Sequence, residues 1–136
     1  MEIIDLHTHG IGGYDTRSTD ISHLLKIAAL HGERGTTRII LSLYPAAIPV
    51  MRASMELVRQ AMATQSAARH AAPPDERPAA RIIGVHLEGP FLNPSRSGAL
   101  NAMALLTPNE RTFHKLVDGF EDLISIMTIA PELDKA

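Results

Sequence analysis

The sequence predicts an α/β fold, a parallel sheet of about four strands with flanking helices. Four short β-branched runs recur along the chain with helical patterns between them, and alternation of this kind specifies a parallel sheet with right-handed crossovers. The runs are near-continuously apolar rather than cleanly alternating, which suits strands covered on both faces. A length of 136 residues with 45% hydrophobic and 21% charged content fits one globular domain over residues 1–136.

The first run is Ile3-Ile4-Asp5-Leu6-His7. A helical pattern around residues 20–31 follows, with Ile21, Leu24, Leu25 and Ala28 on one side and Gly32 as its stop. The second run is Arg38-Ile39-Ile40-Leu41-Ser42-Leu43. A helix from Pro49 to about Gln65 carries Met51, Met55, Val58 and Met62 at helical spacing, a stripe that reads as core packing because thioethers fill irregular gaps. Residues 66–80 (SAARHAAPPDERPAA) are Ala/Pro-rich and read as a surface loop. The third run is Arg81-Ile82-Ile83-Gly84-Val85-His86-Leu87, and a long loop over residues 89–106 follows it. Loops of that length in a compact domain are often functional. The third helix opens Thr107-Pro108-Asn109-Glu110, read as a Thr N-cap with Pro at N1 and Glu at N3, and its apolar side is Phe113, Leu116 and Val117. The last run is Leu123-Ile124-Ser125-Ile126-Met127-Thr128-Ile129.

Charge and composition narrow the function classes. Thirteen Lys+Arg against fifteen Asp+Glu give a net charge of −2 with no basic stripe, so neither nucleic acid nor an anionic membrane surface is expected as a partner. The absence of cysteine excludes disulfide scaffolds, zinc ribbons and thiol nucleophiles. No uncharged run exceeds 13 residues, against the about 20 that a spanning helix needs. The opening Met1-Glu2-Ile3-Ile4-Asp5 has no basic n-region, so a cytoplasmic location is expected. Seven histidines beside two Tyr, three Phe and no Trp raise the question of a metal or of proton transfer.

Three places could answer it. His7-Thr8-His9 ends the first strand, and alternate residues of a strand share a face, so both imidazoles project together at the edge where parallel α/β sheets bind ligands. Neutral imidazole suits zinc and other divalent metals; the alternative is two histidines hydrogen-bonding nearby loops. His86-Leu87-Glu88-Gly89-Pro90-Phe91 ends the third strand, with His86 and Glu88 on one face. A carboxylate beside two histidines is costly to desolvate alone, and a metal relieves that cost; the alternative is a loop cap or an arginine partner. Glu132, after Pro131, follows the fourth strand, and a structural role is favoured there. His23, His31, His70 and His114 read as solvated or satisfied side chains away from the strand ends.

Asp5-Leu6-His7-Thr8-His9-Gly10, Gly35-Thr36-Thr37, His86-Leu87-Glu88-Gly89-Pro90-Phe91-Leu92-Asn93-Pro94, Gly98-Ala99 and Ala130-Pro131-Glu132 occur in this order. Together they resemble the N-acetylglucosamine-6-phosphate deacetylases of the amidohydrolase superfamily. The first motif is shared with many amidohydrolases and with PHP-type phosphoesterases; the second histidine motif is far more specific. The resemblance implies half of a TIM-like (β/α) barrel, in a metal-dependent hydrolase that removes acetate from N-acetylglucosamine 6-phosphate. It implies Glu88 as the primary metal ligand and His7 and His9 as the His-x-His that holds a second metal in some members. It places Ala99 and Leu100 where the family touches substrate, with Leu100 a departure from the histidine often found there. The expected metal is zinc first, with iron or another divalent ion as the alternative. The family's two further histidine ligands and its catalytic aspartate fall on later strands, so no catalytic residue is assigned here and the chain alone is expected to lack a complete active site. An amino-sugar phosphate is the expected substrate. A homo-oligomer is also expected, through an exposed apolar face at Ile3, Ile40, Val85 and Ile126 or their neighbours. The competing readings are a non-catalytic α/β half-barrel that self-associates and a PHP-like metal phosphoesterase.

Overall fold

A computed structural model describes residues 1–71 and 79–136, the side chains of residues 69–71 excepted. The elements are β1 (Ile4–Thr8), β2 (Gly10–Ile11), β3 (Tyr14–Asp15), α1 (Ile21–Glu33), β4 (Arg38–Leu43), α2 (Ile48–Ala71), β5 (Arg81–Glu88), α3 (Glu110–Val117) and β6 (Ile124–Thr128). Strands β1, β4, β5 and β6 form one sheet in the order β1-β4-β5-β6, every neighbouring pair parallel. This is the expected α/β architecture with four parallel strands and flanking helices.

Alternation within the strands divides the sheet into two faces. Ile39, Leu41 and Leu43 of β4 and Ile82, Val85 and Leu87 of β5 join Leu24, Ile27 and Ala28 of α1 and Met51, Met55 and Val58 of α2 in one buried cluster. The methionine stripe is therefore core, with Met62 half-buried at its end. Ile40, Ser42 and His86 are also buried but stand outside that cluster, on the opposite face. That second face carries the site. Gly84 permits the close approach of β5 and β6, because a Cβ there would collide with Ser125.

Several local expectations are corrected. Helix α1 runs past Gly32 to Glu33 and is closed by Gly35, whose φ of 90° is the left-handed conformation that stops a helix. Asp20 caps its start by accepting from the Ser22 amide at 2.8 Å. Helix α2 continues through residues 66–71 of the expected loop, so His70 is helical; residues 72–78 of that loop lie outside the described residues. The N-cap of α3 is Asn109 rather than Thr107, since the Asn109 side chain accepts from the Thr112 amide at 2.8 Å. Leu116 and Val117 are buried as expected, but Phe113 is 39% exposed. Ile40 and Val85 are buried and Ile126 half-buried, so of the expected apolar face the described residues expose Ile3 and, on β1, its neighbours Ile4 and Leu6.

Arg52 of α2 donates to the carbonyls of Lys115, Leu116 and Asp118, satisfying the end of α3. Arg52 and Arg59 also flank the ring of Phe120 at 4.8 and 4.7 Å. Among the described residues no helix is long and apolar enough to cross a membrane.

Candidate metal centre

Strand β1 delivers His7 and, one residue past its end, His9; β5 ends on Glu88. Strand β4 separates the two in the sheet, yet the three side chains meet on the second face. One ligating atom from each lies within 4.8 Å of the others. His9 Nε2 is 2.8 Å from Glu88 Oε2, and His7 Nε2 is 3.9 Å from Glu88 Oε1. The His7 and His9 rings meet edge to face with centroids 5.0 Å apart. His9 and Glu88 are half-buried and His7 is open to solvent. Two imidazole nitrogens and a carboxylate converging at the ends of β1 and β5 are a mixed N/O donor set, which fits a divalent metal such as zinc.

His86 lies under this trio without joining it. Its ring packs against His7 with centroids 4.9 Å apart. Its Nδ1 is hydrogen-bonded to Ser42 Oγ at 2.9 Å and its Nε2 to Thr128 Oγ1 at 2.8 Å. With both nitrogens engaged by hydroxyls, His86 ties β4, β5 and β6 together. Burial, then the neighbouring His7, holds its pKa below the ordinary imidazole value.

A hairpin that the sequence reading missed forms the other wall. Gly10–Ile11 and Tyr14–Asp15 pair antiparallel around Gly12 and Gly13, whose φ values of 64° and 87° suit a two-residue primed turn. The hairpin is tied down by Thr16, whose amide donates to the His9 carbonyl at 2.9 Å and whose hydroxyl donates to the Ser42 carbonyl at 2.8 Å. Asp15 receives Nε and Nη2 of Arg17, both at 2.9 Å. Burial raises the Asp15 pKa, but the hydrogen bonds and charge of Arg17 outweigh it and hold the carboxyl below its ordinary range. Tyr44, just past β4, stacks on His9 with centroids 3.8 Å apart and planes 21° from parallel. The guanidinium of Arg17 covers Tyr44, 4.8 Å from its ring centroid.

Other expected positions are not brought to the cluster. Ala99 is exposed and Leu100 half-buried in the loop after β5, where the Leu100 amide donates to Ser97. Among the described residues neither makes a hydrogen bond, ion pair or ring contact with the trio. The same loop holds short 3-10 turns at Pro94–Arg96 and Ala102–Ala104. Glu132 accepts from the Asn93 side chain at 3.0 Å, the structural role favoured for it. His31 is buried in α1, with Nε2 3.1 Å from Thr8 Oγ1 and Nδ1 3.8 Å from Asp5, so it supports β1 from behind the site.

No family model matches the chain. A curated relative, N-acetylglucosamine-6-phosphate deacetylase of Bacillus subtilis (strain 168), is 30% identical over 133 residues, 98% of this chain and 32% of its own length. The chain is related to the N-acetylglucosamine-6-phosphate deacetylases. It spans about a third of the length of those it matches. Among solved deacetylases, a Mycobacterium smegmatis variant in complex with N-acetyl-D-glucosamine-6-phosphate matches with a TM-score of 0.73 and 28% identity, over 99% of this chain and 32% of that one. The Thermotoga maritima deacetylase matches with a TM-score of 0.76 over 97% of this chain and 31% of that one; at 22% identity it speaks for the fold alone.

Proposed function

We propose that this chain carries part of the active site of a metal-dependent hydrolase that removes acetate from N-acetylglucosamine 6-phosphate, in a cytoplasmic setting. His7, His9 and Glu88 are the ligands, for zinc first and for iron or another divalent ion as the alternative. The convergence of these three donors from strands that are not neighbours is the observation that carries the reading. A divalent metal there would lower the pKa of a bound water and polarise the acetamide carbonyl. Ala99 and Leu100 would touch the sugar through backbone, since neither side chain offers a polar group.

Proton transfer to the leaving amine needs a carboxylate free to move a proton. Asp15 is held by Arg17 and Asp5 faces His31. We therefore place that group outside the described cluster and expect the 136-residue chain to release no acetate unaided. A second reading, a non-catalytic module that self-associates, is favoured by the exposed Ile4 and Leu6 on edge strand β1.

Calorimetric titration with Zn2+ tests the ligand set. Binding by the wild-type chain should weaken at least about tenfold in Glu88→Gln and in His9→Ala. Equal affinity in all three would overturn the site. Zinc-dependent acetate release by the wild-type chain would overturn its expected inactivity.

A further inference from the structure

We infer that Tyr44, braced by the Asp15–Arg17 pair, is the positioning residue that aims Nε2 of His9 at Glu88 and at the metal. The inference rests on the ligand set proposed above. A metal-binding histidine is ordinarily oriented by a hydrogen bond from its second ring nitrogen. In His9 that nitrogen, Nδ1, is buried and has no protein hydrogen-bond partner among the described residues. His86 shows the contrast, with a hydroxyl on each nitrogen. Nε2 meets Glu88 at 2.8 Å, but with Nδ1 unpartnered no second hydrogen bond fixes the His9 ring from its other side, and another contact must do so.

The stack on Tyr44 does so. At 3.8 Å and 21° the two rings lie nearly parallel, and turning the imidazole about its own axis would drive its edge into the phenol. Tyr44 follows Leu43 directly, so the central strand β4 sets where its backbone leaves the sheet. Its other face is closed by the guanidinium of Arg17. Arg17 in turn is fixed in plane by two parallel hydrogen bonds to Asp15, the forked geometry that a lysine could not reproduce. The amide of Thr16, between those two residues, donates to the His9 carbonyl, so the hairpin grips the same residue that its neighbours orient. Asp15, Arg17, Tyr44, His9 and Glu88 thus form one continuous array from the hairpin across to β5.

Two measurements on the 136-residue chain test this. Long-range 1H–15N spectra of the metal-free protein report which His9 nitrogen carries the proton. The wild type should show the Nε2–H form that the Glu88 contact selects, Tyr44→Leu a mixture of both forms, and Tyr44→Phe, which keeps the ring, a return to the wild-type pattern. Titration with Co2+, followed by its visible absorption, should show affinity reduced about 10–100-fold in Tyr44→Leu and restored in Tyr44→Phe. Arg17→Met, at a largely exposed position, should move both readouts in the same direction by less. A Tyr44→Leu or Arg17→Met chain with the wild-type tautomer pattern and Co2+ affinity overturns the inference. A wild-type chain that takes up no Co2+ overturns the ligand set instead, and the metal-free spectra then decide alone whether Tyr44 aims His9.

Discussion

Ser42 Oγ lies 2.9 Å from Nδ1 of His86, and the imidazole so held is the one against which His7 packs edge-on. Both residues are buried. Removing the hydroxyl leaves a buried ring nitrogen without its partner, at a cost of about 1–3 kcal/mol. Ser42→Ala should lower the urea midpoint accordingly with no change in m. A variant as stable as the wild type would show that this layer contributes nothing to the fold.

Stability should fall as the medium is acidified. His31 is held below the ordinary value of 6.5 by burial, against the raising effect of Asp5. His86 is lowered too, by burial and by His7. A histidine whose pKa is depressed on folding binds fewer protons in the native state than in the unfolded one, so its contribution is complete above 6.5 and is lost as pH drops below it. Urea midpoints in the presence of a chelator should be higher at pH 7.5 than at pH 5.5, and His31→Gln should flatten the difference. A profile without slope in wild type would rule this out.

The reassigned start of α3 gives a paired test. Asn109→Ala should destabilise by about 0.5–2 kcal/mol through loss of the cap on the Thr112 amide. Thr107→Ala should have little effect by the same measurement. The reverse ranking would restore Thr107 as the cap.

Strand β1 is an edge of the sheet, with Ile4 43% and Leu6 54% exposed. An edge with apolar side chains is a template for association, and we expect the chain to form a homodimer or larger assembly. Light scattering should give a mass above that of one chain, and Leu6→Gln should shift the population toward monomer. A monodisperse wild-type monomer at micromolar concentration counts against it.

Much of this architecture is readable from residue order because burial imposes periods of 2 and 3.6 residues. Arg38-Ile39-Ile40-Leu41-Ser42-Leu43 becomes β4 without adjustment, and Met51, Met55 and Val58 pack as their spacing predicts. His7, His9 and Glu88 were legible because they end strands that a parallel sheet must align. The β2–β3 hairpin was not, because strands of two residues have no period; Gly12-Gly13 was its one local mark. Thr107-Pro108 satisfied the pattern of a helix start, but Asn109 took the cap because its side chain reaches the Thr112 amide. Tyr44 and Arg17 escaped notice because stacking between a strand end and a hairpin is a tertiary event.

Ser42 is attached on two sides. Its carbonyl accepts from Thr16 and its hydroxyl is bonded to His86, with which it is also in register across β4 and β5. A slip of β4 by one residue would turn its side chain toward the helices and replace it by an aliphatic neighbour. The hairpin anchor and the imidazole layer would then fail in the same step. Strand alignment in this chain is thus proofread at one serine: a misregistered sheet forfeits both walls of the ligand cluster together, so mispaired chains should lack the cluster outright rather than display a distorted version of it.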